Sequence, residues 1–366
     1  MIIKNGLVFN ENCVFEKKDV YIENGIIVSS IDDVIDKTEI DANDNYVIPG
    51  LIDTHIHGAT GHDFCDKDVK GLLEIAKYLK SQGITAFCPT SMTLKKDVLK
   101  EIFNTATTDL PKECANIVGI HMEGPFLSSA KKGAQDDKFI VNPEVTMFKE
   151  LNEACNNMIK IITMAPECDG GLDFIKEMSK TVSISLGHTT ANYDIAKKAF
   201  ELGATRATHL FNAMPAFNHR DPSVVGAALD TENAFVELIS DGIHIHPSMV
   251  RATFKMFGDD KVVLVSDGMM ATGMQNGTYE LGGQEVTMKD RKATLADGTI
   301  AGSATNLFDC MRKAVSFGIS LESAVKSCTK TAAISIGVFD KMGSISVGKV
   351  ANIVIMDKNL NIKSVI

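Results

Sequence analysis

Six side chains able to hold a metal ion or move a proton recur at the ends of short apolar runs. They are His55 and His57, Glu123, His188, His209 and Asp267. Each run reads as a buried strand, with the polar group at its C-terminal end. In a barrel of parallel strands those ends meet at one face. Bare imidazoles and carboxylates are costly to desolvate unless they are paired or bound to a metal. The economical reading is a divalent metal site that activates water.

In Asp53-Thr54-His55-Ile56-His57-Gly58 the two histidines share one side of an extended chain, as metal ligation at a strand end requires. Read alone, the pair fits hydrogen-bonded loop histidines equally well. In His121-Met122-Glu123-Gly124-Pro125-Phe126 the same alternation aligns His121 with Glu123. The carboxylate either binds one metal or bridges two, and His121 reads as a supporting partner. His188 follows Gly187, and His209 opens His209-Leu210-Phe211-Asn212-Ala213-Met214. With Glu123 they make a nitrogen and oxygen set that suits zinc first, with iron or manganese also accepted, at one or two ions per chain. Asp267, in Val265-Ser266-Asp267-Gly268, is placed to take a proton from metal-bound water and return it to a leaving amine. Without that company it would read as a turn aspartate.

Other polar clusters read as substrate contacts. Arg220, in His219-Arg220-Asp221-Pro222, offers a guanidinium for a phosphate. His244, in Asp241-Gly242-Ile243-His244, ends the seventh strand and faces the same pocket. Gln135, in Lys131-Lys132-Gly133-Ala134-Gln135, can donate a hydrogen bond to a carbonyl, while the lysine pair reads as solvated surface. His62 and His246 take no role.

The elements that position these groups alternate. Candidate strands are Leu51–Asp53, Ile84–Cys88, Ile117–His121, Ile159–Met164, Val182–Leu186, Ala207–Leu210, Phe235–Ser240 and Val262–Ser266. Helical spacing appears at Val69–Lys80, Val145–Asn156, Tyr193–Leu202, Leu307–Phe317 and Leu321–Lys326. The fold class expected is α/β, a (β/α)8 TIM-like barrel over residues 49–343. A doubly wound sheet would show a G-x-G-x-x-G turn, and none is present. Short strands with Asn5-Gly6 and Asn24-Gly25 turns open the chain, and similar strands close it. Together residues 1–48 and 344–366 are expected to form a small β-sandwich domain.

Composition bounds the partners. The chain has 366 residues, 45% hydrophobic and 23% charged, with a formal net charge of −10. Such a surface disfavours nucleic acid and anionic membranes, and an anionic substrate must be caught by a few local groups. The eight cysteines form no C-x-x-C pair and read as small buried hydrophobes in a reducing compartment. The N-terminus lacks the pattern of a signal peptide, so a cytoplasmic location is expected.

Together these residues resemble the amidohydrolase superfamily, and within it the N-acetylglucosamine-6-phosphate deacetylase family. The likeness runs from Pro49-Gly50-Leu51-Ile52-Asp53 to Gly348-Lys349-Val350-Ala351-Asn352. HMEGPF at His121–Phe126, HLFNAM at His209–Met214 and DGIH at Asp241–His244 are its most specific parts. The resemblance implies hydrolysis of an N-acetylated amino-sugar phosphate to the free amine and acetate. It implies Glu123, His188 and His209 as holders of the principal metal, and Asp267 as general base and acid. His55 and His57 are replaced in some members, so their presence admits a second metal. Asn212, Ala213 and Arg220 would contact the sugar phosphate. His244, Ala134 and the loop Ile300-Ala301-Gly302 would line the substrate. Gln135 stands where some relatives carry histidine, which leaves either it or His244 to polarise the carbonyl. A homodimer is implied, with the arginine supplied within one subunit or across the pair. The alternatives are an amidohydrolase for another amide or cyclic amide, and a catalytically silent barrel that only binds.

Overall fold

The computed structural model describes residues 1–366. Eight strands build the barrel: Leu51–Ile56, Ile84–Ser91, Ile120–Glu123, Ile159–Met164, Ser183–Leu186, Arg206–Ala207, Phe235–Leu238 and Val262–Leu264. They are strands one to eight below. Each pairs with the next in parallel. Strands one and two are buried along their whole length, as expected where helices cover a parallel sheet.

Closure between strands eight and one is not a regular ladder. A single bridge joins Ile56 to Gly268. Beside it Asp267 N–H donates to the His55 carbonyl at 2.9 Å, and His57 N–H to the Gly268 carbonyl at 2.8 Å. The seam that closes the barrel is thus made from the residues that end its first and last strands.

The helices form for local reasons. In Val69–Ser81 the Asp68 side chain accepts from the backbone N–H groups of Lys70 and Gly71, capping the first turn. Leu72, Ile75, Ala76 and Leu79 then fall on one buried stripe. Each large member of that stripe contributes about 1.5–3 kcal/mol through burial. Gly83, at φ +74°, turns the chain into strand two, and its carbonyl accepts from Leu51 N–H at 3.0 Å.

The third expected strand is broken: Asn116–Ile117 and Ile120–Glu123 flank a gap at Val118-Gly119. Strands six and eight stop early because the backbone enters the left-handed region at His209 (φ 29°) and Asp267 (φ 50°).

Both chain ends share one seven-stranded sheet, in which Ile353–Met356 pairs antiparallel with Tyr46–Pro49. That sheet has its own core of 11 buried residues, including Ile3, Val20, Val47 and Ile353. We propose 1–48 with 344–366 as one domain and 49–343 as the other. A second addition has no counterpart in the sequence reading. Gly277–Leu281, Gln284–Lys289 and Lys292–Thr294 form a three-stranded meander between strand eight and the helix Leu307–Ser316. It packs Leu281, Val286 and Met288 against Met92, Met269 and Ala301. No helix is long and apolar enough to cross a membrane.

Candidate metal centre

Strand ends place the six groups together. His55 and His57 come from strand one, Glu123 from strand three, and His188, His209 and Asp267 from the turns after strands five, six and eight. The last three all have positive φ, of 48°, 29° and 50°. Such non-glycine conformations cost of order 1–3 kcal/mol each and persist where the surroundings over-determine them. Gly124, at φ +76°, turns the chain away behind Glu123, where any Cβ would run into Thr93.

Two groups of donors share Glu123: His55 with His57, and His188 with His209. Glu123 Oε1 lies 3.3 Å from Nε2 of both His188 and His209, and those two nitrogens are 3.0 Å apart. Donors bonded at about 2.0–2.1 Å to a tetrahedral ion stand about 3.3 Å from one another. On the other side His57 Nε2 lies 3.4 Å from Glu123 Oε2 and 3.2 Å from Asp267 Oδ1. His55 Nε2 is 3.5 Å from both Glu123 Oε1 and Asp267 Oδ1.

The far sides of the rings are pinned. Nδ1 of His188 reaches the Lys131 carbonyl at 2.9 Å, and Nδ1 of His57 the Thr90 carbonyl at 3.1 Å. Nδ1 of His55 reaches Glu237 Oε2 at 2.8 Å. A ring that donates from Nδ1 presents the lone pair of Nε2 to the centre. Buried His55 Nε2 and Glu123 Oε1 have no hydrogen-bond partner. Orphaned buried atoms of this kind need a reason. Their convergence on one point fits a divalent metal.

Electrostatics agree. Burial pushes the His57 imidazole down, but hydrogen bonds to Asp267 and Glu123 outweigh it and raise the ring to about 9. Burial pushes Asp267 up, yet His55 and His57 hold it well below the usual carboxylate range. Glu123 is lowered in the same way, by His55 and His188 against burial. Protons on His55 and His57 balance the Glu123 and Asp267 carboxylates, and these are the protons that a divalent ion would displace. His121 is excluded from it: its Nδ1 meets the Thr54 carbonyl at 3.1 Å and its Nε2 meets Thr163 Oγ1 at 2.7 Å.

A cavity of about 380 Å³ opens over the centre, lined by Ala134, Gln135, Asn212, Ala213, His244, Ile300 and Gly302 together with five of the six groups. The sixth, His55, lies beneath them, fully buried. Two of the expected substrate contacts fall elsewhere. Ala301 turns its buried methyl into the small core under the meander, and its N–H donates to the Ala293 carbonyl. Arg220 lies on an exposed loop and does not line the cavity. The Lys131-Lys132 pair divides: Lys131 lines the cavity, while Lys132 pairs with Asp137 at 3.4 Å.

Gln135 is committed at both ends. Its Oε1 accepts from Thr93 N–H at 2.7 Å and its Nε2 donates to Glu123 Oε2 at 2.8 Å. His244 donates from Nδ1 to Asp241 Oδ2 at 2.8 Å, and Asp241 Oδ1 accepts the N–H groups of Ile243 and His244. Burial lowers His244, but the Asp241 hydrogen bond prevails and raises it.

Two buried residues escape the apolar-run pattern. Glu237 and Arg206 form a fully buried ion pair at 3.1 Å beneath His55. Burial raises Glu237, but His55 and Arg206 hold it down at about 2. The signal lay in the sequence: each is a lone charge inside a stretch that must be buried, which demands a partner.

A (β/α)8 barrel with this His, Glu and Asp constellation at the C-terminal ends of its strands defines a metal-dependent hydrolase class, and the chain belongs to the amidohydrolase family, whose model matches residues 46–366. Among curated proteins it is similar to the N-acetylglucosamine-6-phosphate deacetylase of Bacillus subtilis, 35% identical over 99% of this chain and 94% of that protein. An N-acetylgalactosamine-6-phosphate deacetylase of Escherichia coli O157:H7 is 29% identical, over 100% of this chain and 97% of its own. Among solved structures, the N-acetylglucosamine-6-phosphate deacetylase of Pasteurella multocida superposes with a TM-score of 0.92 at 30% identity, covering 100% of this chain and 97% of that one.

Proposed function

We propose that the chain hydrolyses N-acetyl-D-glucosamine 6-phosphate to D-glucosamine 6-phosphate and acetate. The observation that carries this is the pair of donor groups sharing Glu123 at the floor of the cavity, with Asp267 beside them. Likeness along nearly the whole chain, at 35% and 30% identity, to deacetylases of this substrate supports the substrate class. Zinc suits the donor set best, with iron or manganese as alternatives.

Glu123, His188 and His209 would hold the principal ion, and His55 and His57 with Glu123 a second. A divalent ion bound there supplies acidified water and Lewis acidity toward an amide carbonyl. Asp267 is ionised, so its carboxylate can accept the proton of the attacking water. The new bond joins the water oxygen to the acetyl carbon. The carbon–nitrogen bond breaks, and Asp267 returns the proton to the departing amine nitrogen. Acetate and the free amino sugar result. His244 is the better donor to the acyl oxygen: Asp241 favours the doubly protonated ring, which keeps an N–H on Nε2 while Nδ1 is held, and the ring lines the cavity. Gln135 spends its amide on Glu123 instead.

Asn212, Ala213, Ala134, Ile300 and Gly302 would shape the sugar site. The phosphate is the unsatisfied part. Among lysines and arginines only Lys131 lines the cavity, in a chain of net charge −10. We therefore assign Arg220 to the cavity of a second copy in a homodimer. Acetate release from the 6-phosphates of N-acetylglucosamine and N-acetylgalactosamine, and from unphosphorylated N-acetylglucosamine, tests the reading. Preference for the first supports it. Turnover of none of them would sink it.

A further inference from the structure

Beneath the metal centre lies a charged pair that no catalytic role accounts for. Glu237 projects from strand seven and Arg206 from strand six, both fully buried. Barrel interiors are ordinarily filled by branched apolar side chains. A buried ion pair is no better for stability than apolar residues of similar volume. Its retention under the site points to a task there.

Each oxygen of Glu237 has a separate duty. Oε1 accepts from Arg206 Nη1 at 3.1 Å. Oε2 accepts from His55 Nδ1 at 2.8 Å and from the His209 backbone N–H at 3.3 Å. Arg206 is itself fixed, donating from Nη1 to Thr54 Oγ1 at 3.3 Å and from Nη2 to Ser335 Oγ.

An ionised carboxylate only accepts, so the ring proton of His55 must sit on Nδ1. In the neutral ring that metal ligation requires, the lone pair of Nε2 then faces Glu123 and Asp267, where it has no hydrogen-bond partner. His57 and His188 make the corresponding contact to neutral backbone carbonyls. Of these three rings only His55 is backed by a carboxylate, which makes an imidazole a stronger metal donor. His55, His121 and Glu237 also bring donor atoms within 4.8 Å of one another. They are not a third ion site, because both nitrogens of His121 are already hydrogen-bonded.

We propose that Glu237, anchored by Arg206, is the positioning residue that fixes the tautomer and aim of His55 and so sets the affinity of the second ion position. This rests on the two-ion reading of the centre. Titration of metal-free protein with zinc, followed by elemental analysis and calorimetry, tests it. Wild-type protein should take two ions. Glu237→Gln should weaken the second by about 10- to 100-fold, with the first changed far less. Glu237→Leu combined with Arg206→Met removes the whole pair, avoids a stranded charge, and should show the same selective loss with a cooperative thermal transition. Unchanged affinity for the second ion in a folded variant overturns this proposal alone, and so does an equal weakening of both ions. Wild-type protein that takes one ion or none overturns the two-ion reading and this proposal with it.

Discussion

Gln135 donates its side-chain amide to Glu123 Oε2 at 2.8 Å, while its own carbonyl is held by Thr93 N–H at 2.7 Å. This pins the carboxylate that both donor groups share. Glu123 Oε1 is left toward His188, His209 and His55, and Oε2 toward His57.

Gln135→Leu should therefore act through metal retention. Loss of an outer hydrogen bond to a ligand typically costs 10- to 100-fold in metal affinity or activity. The variant should lose ions on dialysis and regain much of its turnover in excess metal. A variant that keeps its ions but loses turnover permanently would instead make Gln135 a group that touches the substrate.

The centre should hold two ions. His55→Gln removes a donor that only the second position uses, so one ion should remain, bound by Glu123, His188 and His209. Elemental analysis during titration checks this. Saturation of wild-type protein at one ion, with His55→Gln unchanged, would remove the strand-one histidines from the ligand set.

How much of this was legible depended on where each residue sits. The metal cluster was readable because its members end apolar runs, and parallel strands gather such ends by construction. Glu237 and Arg206 were only half readable: a lone charge in a buried stretch signals a missing partner, but a linear sequence does not show that these two charges meet. Strand six was placed too late, since the chain stops being extended at His209. The meander at 277–294 carried its own turn signals, Gly282-Gly283 and Asp290-Arg291, at short spacing. What no local pattern shows is that it folds over the barrel mouth and brings Leu281 to the cavity.

Asp267→Asn should preserve the fold and metal binding at Glu123, His188 and His209, and lose turnover. Removal of a positioned acid–base group costs on the order of 100- to 10,000-fold. Substrate binding by calorimetry should survive. Turnover near the wild-type rate would exclude Asp267 as the proton carrier.

Buried thiols should be inert and should make stability fall at alkaline pH. Burial pushes Cys88 from 9.0 up to about 12, and Cys310 and Cys328 well above their usual value. At pH 8 a thiol of pKa about 12 is ionised to roughly one part in 10,000. Only Cys13, Cys65 and Cys168 are partly exposed, so a thiol reagent should modify at most these three quickly in native protein. All eight should react after unfolding. The folded state keeps protons that the unfolded chain releases, so this stabilisation is full below about pH 9 and is lost as pH rises toward 12. Rapid modification of all eight thiols in native protein would contradict the burial.

Arg220 bears on the phosphate and on assembly together. It sits on an exposed loop, outside the cavity of its own chain, yet Lys131 is the one lysine or arginine that lines that cavity. The surface is acidic overall, so long-range attraction cannot hold the sugar phosphate. A hydrogen bond to a charged group contributes roughly 1.5–3 kcal/mol, or about 10- to 150-fold in binding. Arg220→Ala should lower kcat/KM for N-acetylglucosamine 6-phosphate by about that factor. Unphosphorylated N-acetylglucosamine, a poor substrate to begin with, should be nearly unaffected. Equal losses on both sugars would make Arg220 structural. If the arginine serves the neighbouring subunit, neither Arg220→Ala nor Asp267→Asn homodimers contain a complete site. A hybrid dimer does contain one: the Arg220→Ala subunit supplies Asp267, and its partner supplies Arg220. Mixing the two variants should then restore activity in proportion to the hybrid fraction, measured by tagged purification. No recovery in confirmed hybrids would return Arg220 to its own subunit, and the exposed loop would have to close over the cavity to reach the phosphate.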